Sequence, residues 1–284
     1  MKQLVLIGQS LDHSLSPVMH NAALSAMGMD DLYHYELLPM RPKGLLELVE
    51  SIRNQSIGGA NITIPYKSEI ISYLPSVEEE SRILGAVNTI YCPSEGPVGC
   101  NTDVFGFREA LKEHAVSVSG IRALILGAGG AARAVAYAMA EEDVGSLEIL
   151  GRNQRRAQDV VDMIRRRFDI RVRMRAGPIS EYNHLETDFI VNCTPVGMFR
   201  QSITDTPLET SLLTDDMTVM DLVYNPLKTR LLREAERVGC KTIGGVEMLV
   251  HQGAASLELW TGRAPPTEVM KKAVLVALGG GSSG

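Results

Sequence analysis

Residues 122–132 read RALILGAGGAA, and this stretch decides the fold of the second half of the chain. Its first five residues have the composition of a buried strand. Gly127, Gly129 and Ala132 then fill the positions of a G-x-G-x-x-G/A pattern, a helix pattern follows, and residues 147–150 resemble a second strand. Strand, tight glycine turn, helix and strand in this order predict the βαβ unit that holds a dinucleotide pyrophosphate at a helix amino terminus.

The tip of the second strand indicates which dinucleotide this unit binds. NAD sites usually place a carboxylate there, which accepts hydrogen bonds from the ribose 2′-hydroxyl. Residues 151–156 contain no carboxylate and offer the guanidinium groups of Arg152, Arg155 and Arg156 instead. Guanidinium donors suit a 2′-phosphate, so NADP is predicted rather than NAD. The alternative for the last two arginines is a solvated helix start, although cations there oppose the helix dipole.

Strand and helix patterns alternate along nearly the whole chain, which predicts an α/β protein with mostly parallel sheets covered by helices on both faces. A chain of 284 residues is expected to form one large or two modest domains. The predicted strands are 4–7, 33–38, 59–64, 86–92, 122–126, 147–150, 170–175, 188–193 and 218–223, and the predicted helices are 18–27, 45–52, 105–114, 131–141, 155–167, 246–260 and 267–278.

Composition and charge exclude several classes of protein. With 45% hydrophobic and 22% charged residues the chain is not intrinsically disordered, and a net charge of −6 does not suit a general nucleic-acid binder. The four cysteines form no C-x-x-C pair and the six histidines no H-E-x-x-H motif, so free thiols and no metal site are expected. The amino terminus lacks a signal-peptide pattern, and no stretch is apolar enough to span a membrane, so a cytoplasmic location is expected. The basic run 165–175 is interpreted as solvated helix and strand faces.

Three polar clusters stand out in the first half of the chain. In the first, HSLSP at 13–17, two serine hydroxyls could face one ligand carboxylate, or Ser16 could simply cap a helix that has Pro17 at its first position. The second is NITIPYK at 61–67, where Ile62 and Ile64 are expected to be buried on the strand face opposite Asn61. The third combines GAVNT at 85–89 with NTD at 101–103, and its aspartate could handle a proton together with the lysine of the second cluster.

Taken together, these segments resemble the shikimate dehydrogenase family. The matching stretches occur in the family order between about residue 7 and residue 262, and most of them are unrelated to the generic glycine turn. They are HSLSPVMHNAA, GANITIPYK, GAVNTI, GCNTDVFGF, LGAGGAARA, NCTPVGM, DLVYNPLKTRLL and GGVEMLVHQGA.

The resemblance implies an enzyme of two domains with a cleft between them. Residues 1–103 and 247–278 would form the substrate domain, 104–246 an inserted Rossmann NADP-binding domain, and 279–284 a flexible tail. The implied activity is reversible NADPH-dependent reduction of 3-dehydroshikimate to shikimate in chorismate and aromatic amino-acid biosynthesis, by a monomer or homodimer. Two alternatives remain open: a quinate/shikimate dehydrogenase that uses NAD, and an NADP-binding regulatory protein without catalysis.

The resemblance also assigns roles to individual residues. Lys67 is the implied acid/base group, with Asp103 bonded to the same substrate hydroxyl, and it stays open whether Lys67 acts alone or as a dyad with Asp103. The implied substrate contacts are Ser14 and Ser16 for the carboxylate, Thr63, Lys67, Asn88, Asp103, Tyr224 and Gln252. The implied cofactor contacts are Gly127, Ala128, Gly129, Gly130, Ala131, Gly151, Arg152, Asn153, Arg155, Arg156, Thr194, Leu222, Gly245 and Glu79. Gly151 departs from the asparagine that is usual at the start of the adenine loop.

Overall fold

A computed structural model describes residues 1–168, 186–199 and 202–279. The chain divides into two compact units: the first is Met1–Gly106 with Val250–Gly284, and the second is Phe107–Leu249. The second unit is therefore inserted between two segments of the first. The predicted strand 170–175 lies outside the described residues, as does the tail beyond residue 279.

The described residues form eleven strands and nine α-helices. The strands are β1 (Lys2–Gly8), β2 (Tyr33–Pro39), β3 (Ile57–Ile62), β4 (Ser76–Val77), β5 (Thr89–Tyr91), β6 (Val98–Cys100), β7 (Arg122–Leu126), β8 (Ser146–Leu150), β9 (Phe189–Asn192), β10 (Thr218–Asp221) and β11 (Lys241–Ile243). The helices are α1 (Ser16–Ala26), α2 (Leu45–Arg53), α3 (Glu79–Leu84), α4 (Asp103–Glu113), α5 (Gly130–Glu141), α6 (Gln154–Arg167), α7 (Arg230–Val238), α8 (Val246–Thr261) and α9 (Thr267–Ala277).

The first unit contains a six-stranded mixed sheet with the order β2-β1-β3-β5-β6-β4. Strand β1 pairs in parallel with β2 and β3, and β4 pairs in parallel with β6. Strand β5 is antiparallel to both β3 and β6, which the residue pattern did not indicate. A short connection joins β5 to β6, and such a connection is possible only between antiparallel neighbours.

The core of this unit follows the predicted periodicity. Leu45, Leu48, Val49 and Ile52 form the buried stripe of α2, at the spacing expected for one helix face. The prediction for Ile64 is wrong, because β3 already ends at Ile62 and the Ile64 side chain is 69% exposed.

The second unit is built on a five-stranded parallel sheet with the order β11-β10-β9-β7-β8. Strand β7 occupies the predicted residues 122–126 and lies between β8 and β9, so its apolar side chains are buried on both faces. Helix α5 follows the glycine turn directly, and most of its residues are buried. The predicted α/β class with a Rossmann-type second unit is confirmed.

Three further observations concern the described residues only. None of their helices combines the length and apolar character needed to cross a bilayer. They contain no group of three or more His, Cys, Asp or Glu side chains that could hold a metal ion. The four cysteines, all of them among the described residues, form no disulfide.

Candidate active site

The predicted acid/base pair is present in the first unit. The ammonium group of Lys67 donates a hydrogen bond to Oδ2 of Asp103, and these side chains are only 16% and 7% exposed. The backbone of Lys67 is fixed by a hydrogen bond, since its carbonyl accepts the N–H of Val87 at 2.7 Å. Asp103 begins α4, and its N–H donates to Oδ1 of Asn101 at 2.9 Å. The fold therefore brings together two residues that are 36 positions apart.

Asn88 holds the other oxygen of the Asp103 carboxylate. Its Nδ2 donates to Oδ1 of Asp103 at 2.8 Å and lies 3.4 Å from Oε1 of Gln252. The Thr102 N–H donates to Oδ1 of Asn88 at 2.8 Å. Because a backbone N–H can only donate, this bond sets the orientation of the Asn88 amide and turns its NH₂ toward Asp103. The carboxylate thus receives one donor on each oxygen.

The two serines of the first cluster face each other at the start of α1. Their hydroxyl oxygens are 3.2 Å apart, and the Ser16 N–H lies 3.3 Å from Oγ of Ser14. The N-cap position of α1 is Leu15, whose side chain makes no capping hydrogen bond, and Ser16 is already the first helical residue. The interpretation of Ser16 as a helix cap is therefore wrong, although Pro17 does lie in the first turn.

The serines and Thr63 share one edge of the sheet. The serine loop follows β1, and Thr63 follows β3, which is parallel to β1. The Thr63 N–H donates to the carbonyl of Ile7 at 2.9 Å, which continues this pairing. Ligands of open α/β sheets bind beyond the carboxyl ends of parallel strands, so this edge is where a polar substrate would bind.

A buried network of polar side chains, which the sequence did not predict, is hydrogen-bonded to the backbone of Asn88. Nδ2 of Asn61 lies within hydrogen-bond distance of the Asn88 carbonyl, of Oγ1 of Thr89 and of Oγ of Ser256 (3.0–3.2 Å). The Ser256 hydroxyl in turn donates to the Gln252 carbonyl at 2.9 Å. Ser256 lies four residues after Gln252, on the same face of α8, and that spacing was the available signal.

The glycine turn of the second unit has the expected local geometry. Gly127 has φ +111°, and a Cβ there would lie 3.2 Å from the backbone of Cys193. Gly129 is the N-cap residue of α5, and no side chain caps the helix. Beyond Gly129 itself and its local backbone, none of the described residues has an atom within 4 Å of where a Gly129 Cβ would lie. The first N–H groups of α5, in Gly130, Ala131 and Ala132, are therefore suited to an anionic ligand.

The loop after β8 combines a helix cap with exposed cations. The side chain of Asn153 accepts the N–H of Arg156 at 3.1 Å and so caps α6, a role that the sequence did not predict for this residue. Arg152, Arg155 and Arg156 are exposed, and a Cβ on Gly151 would lie 3.3 Å from that of Ala128 in the glycine turn.

A further cation, Arg133 of α5, was missed by the sequence prediction. Burial lowers the pKa of Arg133, nearby Asp159 raises it and nearby Arg156 lowers it. The arginine therefore lies within electrostatic range of Asp159 and Arg156, both in α6. Its position three residues after Gly130, in the first turn of the same helix, was the available signal.

The remaining predicted cofactor residues of this unit surround the ends of β9 and β10. The Thr194 N–H donates to Oδ1 of Asn192, and the Leu222 N–H to the Asn192 carbonyl. A Cβ on Gly245 would lie 2.4 Å from the Leu222 carbonyl oxygen, so only glycine fits there. Tyr224 also follows β10, in this second unit. Glu79 instead lies exposed at the start of α3 in the first unit.

A glycine turn in a parallel sheet and a lysine–aspartate ion pair shielded from solvent are the features expected of a nucleotide-dependent dehydrogenase. Family models agree: residues 6–90 match the shikimate dehydrogenase substrate-binding domain, 109–195 match shikimate / quinate 5-dehydrogenase, and 245–275 match the shikimate 5'-dehydrogenase C-terminal domain. The shikimate dehydrogenase (NADP(+)) of Symbiobacterium thermophilum is 43% identical over 97% of this chain and 94% of its own length. The chain belongs to the shikimate dehydrogenase family.

Solved structures agree with this assignment. Shikimate 5-dehydrogenase from Thermus thermophilus, in complex with NADP(H) and shikimate, has a TM-score of 0.85 and 34% identity over 98% of this chain and 100% of that one. Quinate dehydrogenase from Corynebacterium glutamicum, in complex with NAD, has a TM-score of 0.85 and 34% identity over 97% of this chain and 99% of that one.

Proposed function

We propose that this chain is an NADP-dependent shikimate dehydrogenase, an oxidoreductase that acts on a CH–OH group and interconverts 3-dehydroshikimate and shikimate. The observation that carries the proposal is the ion pair of half-buried Lys67 and buried Asp103, in the unit whose sequence matches the substrate-binding domain model. The similarity to shikimate dehydrogenases along nearly the whole chain supports it. Cytoplasmic aromatic amino-acid biosynthesis is the process in which we place the reaction.

The chemistry assigned to this pair is proton transfer at the C3 oxygen of the substrate. When bound, NADPH supplies the hydride that reduces the C3 carbonyl. Lys67 donates a proton to the developing alkoxide in reduction, and it accepts that proton in oxidation. Asp103 fixes the ammonium group through Oδ2, while Asn88 holds Oδ1. Two donors on one carboxylate restrict its rotation, so Nζ of Lys67 is presented in one direction.

The substrate carboxylate is assigned to the serine pair. Hydroxyl groups are neutral donors, and the Ser14 and Ser16 hydroxyls lie close enough to bind the same carboxylate. Thr63 at the same sheet edge, with Gln252 beside Asn88, provides further hydrogen-bonding groups for ring hydroxyls. We assign Tyr224 of the second unit to the substrate as well.

The residues present in the second unit fit NADP. The open space at Gly129 and the uncapped start of α5 suit the pyrophosphate. The exposed guanidinium groups of Arg152, Arg155 and Arg156 suit the 2′-phosphate, and Arg133 lies within electrostatic range of Arg156. Thr194, Leu222 and Gly245 are assigned as further cofactor contacts, and Glu79 is carried only by the family resemblance.

The catalytic assignment is tested with purified protein, shikimate and NADP at alkaline pH, followed by absorbance at 340 nm. Lys67→Ala should reduce kcat by about a hundredfold or more, because general acid–base catalysis contributes about that much. Lys43→Ala, an exposed lysine of the same unit, is the matched control and should keep wild-type kcat. Full activity of Lys67→Ala would refute the assigned mechanism.

The cofactor assignment is tested with a matrix of two substrates, shikimate and quinate, and two cofactors, NADP and NAD. Arg152→Ala and Arg156→Ala should each raise the KM for NADP by about tenfold and change the KM for NAD little, since a guanidinium–phosphate bond is lost only with NADP. Arg237→Ala, an exposed arginine of the same unit, is the control. A higher kcat/KM with NAD and quinate would instead identify the quinate/shikimate alternative, and NADP binding without turnover the regulatory one.

A further inference from the structure

Asp221, the last residue of β10, is a wholly buried carboxylate that the proposed reaction does not use. Its Oδ1 accepts hydrogen bonds from Nδ2 of Asn192 at 2.8 Å and from the Val223 N–H at 3.0 Å. Its Oδ2 accepts the Thr229 hydroxyl at 2.6 Å. All three donors are uncharged. Burying a carboxylate among neutral donors is unfavourable.

The bond to Asn192 determines the conformation of the loop after β9. A carboxylate can only accept, so the NH₂ of the Asn192 amide must face Asp221, and the amide oxygen must face the other way. That oxygen receives both the N–H and the hydroxyl of Thr194, at 2.9 and 2.6 Å. The remaining Nδ2 hydrogen is directed to the Val196 carbonyl at 3.2 Å. The orientation of Asn192, and through it the position of Thr194, depends on Asp221.

The same carboxylate holds the turn that follows β10. Val223, whose N–H donates to Asp221, lies in the chain between Leu222 and Tyr224. These two neighbours are the residues assigned to the cofactor and to the substrate. The Leu222 N–H donates to the carbonyl of Asn192, which links this turn to the loop after β9. One side chain therefore ties together two loops whose parent strands are parallel neighbours.

The hydrogen bond between Thr229 and Asp221 acts on a helix start. Thr229 is the N-cap residue of α7, and its hydroxyl oxygen accepts the Leu232 N–H at 3.3 Å while its hydrogen goes to Asp221. This bond stabilises the start of a helix, and it joins Asp221 to neither Thr194 nor Leu222. It provides a comparison variant in which Oδ2 of Asp221 loses its donor, while both hydrogen bonds to Oδ1, from Asn192 and Val223, are kept.

We infer that Asp221 is a positioning residue for the cofactor: it holds Thr194 and Leu222 where they contact bound NADP. The inference rests on the proposed function, because it takes these two residues as cofactor contacts. Burial raises the pKa of Asp221 to about 6, and the cost of keeping the carboxylate charged is consistent with a role other than stability. A neutral side chain would satisfy fewer of the three donors.

The experiment compares Asp221→Ala, Asp221→Asn and Thr229→Val by calorimetric titration with NADP, by thermal unfolding and by steady-state kinetics. Asp221→Ala should weaken NADP binding by about tenfold or more, since both loops lose their common acceptor. Asp221→Asn keeps one acceptor oxygen toward Asn192 and Val223 and should recover most of that affinity. Thr229→Val should lower Tm but leave the NADP Kd within about twofold.

The inference is overturned if folded Asp221→Ala binds NADP like the wild type, or if Thr229→Val weakens binding as much as Asp221→Ala. Should Asp221→Ala fail to fold, Asn192→Ala breaks the same link from the loop side, and wild-type NADP affinity in that variant also overturns the inference. Failure of the proposed function is a separate outcome. A wild-type protein that binds NADP but does not oxidise shikimate would refute the function, whereas the calorimetric comparison would still report on Asp221.

Discussion

The titration of His20, in α1, tests whether the interior of the first unit is packed as the structure shows. Its side chain is fully buried, and neither ring nitrogen has a hydrogen-bond partner among the described residues. The ring stacks on Tyr35, with centroids 4.1 Å apart. Desolvation disfavours the imidazolium form, and burial lowers the pKa of His20 to about 3.

This shift makes stability depend on pH with a definite sign. The unfolded chain has an ordinary histidine pKa of 6.5, so between that value and about pH 3 the unfolded state binds one proton more than the folded state. The folded pKa is lowered, so stability from this group is complete above pH 6.5 and decreases as the pH falls. At about 1.4 kcal/mol per pH unit, His20 should cost about 3 kcal/mol at pH 4.5 relative to neutral pH.

The assay uses a probe that the chain already contains. Trp260 is the only tryptophan, it is buried, and its ring centroid is 5.8 Å from that of His20, so its fluorescence reports unfolding of the first unit. The free energy of unfolding in urea is measured at several values between about pH 7.5 and about pH 4.5. His20→Gln replaces a buried polar group with one that does not titrate. His34→Gln removes an exposed histidine from β2 and serves as the matched control.

The expected result is that the free energy of unfolding changes less steeply with pH in His20→Gln than in the wild type. Wild type and His34→Gln should lose stability in parallel as the pH falls, whereas His20→Gln should lose about 3 kcal/mol less over the same range. The stability of His20→Gln at neutral pH is not decisive, since the lost stacking acts at every pH. Equal slopes for His20→Gln and wild type would show that His20 is not a buried neutral group, and would refute the reasoning.

Three further predictions concern backbone and packing constraints. Gly59→Ala should lower the free energy of unfolding by about 1–3 kcal/mol and shift Trp260 emission to longer wavelength. The reason is that the new Cβ would lie 2.2 Å from the indole nitrogen of Trp260, and unchanged emission would contradict this. Gly245→Ala should reduce Tm and NADP affinity together, because its Cβ would lie 2.4 Å from the Leu222 carbonyl oxygen, and wild-type values of both would be incompatible with this geometry. Asn153→Ala should lose about 1 kcal/mol of stability through the α6 cap, and Asn153→Ser should restore most of it; equal losses in a urea titration would argue against the cap.

Much of the second unit was predictable because its signals are local. Strand β7 has the predicted bounds, since five apolar-rich residues are followed at once by a glycine turn. Helix α5 begins one residue before the predicted position. The short β11 and the helix α7 were not predicted, because three strand residues carry too little pattern and α7 follows a segment rich in turn-forming residues.

The first unit shows where local patterns stop being informative. The direction of β5 was not predicted, because alternation of apolar residues is the same in parallel and antiparallel strands. Ile64 was expected to be buried, and only the end of β3 at Ile62 shows why it is exposed. The cap at Asn153 is by contrast a local feature, since asparagine just before a helix pattern is a favoured N-cap residue.

The sequence by itself determined the α/β class, the glycine turn, the arginine-rich loop and, through eight short stretches in a fixed order, the family. These features depend on residues close together in the chain, where spacing translates directly into geometry. Only the tertiary structure decided that Lys67 and Asp103 form an ion pair, that Asn88 turns its NH₂ toward Asp103, and that Asp221 joins two loops. Each of these depends on the direction of a hydrogen bond between distant segments, and that direction is set by which neighbouring groups can only donate or only accept.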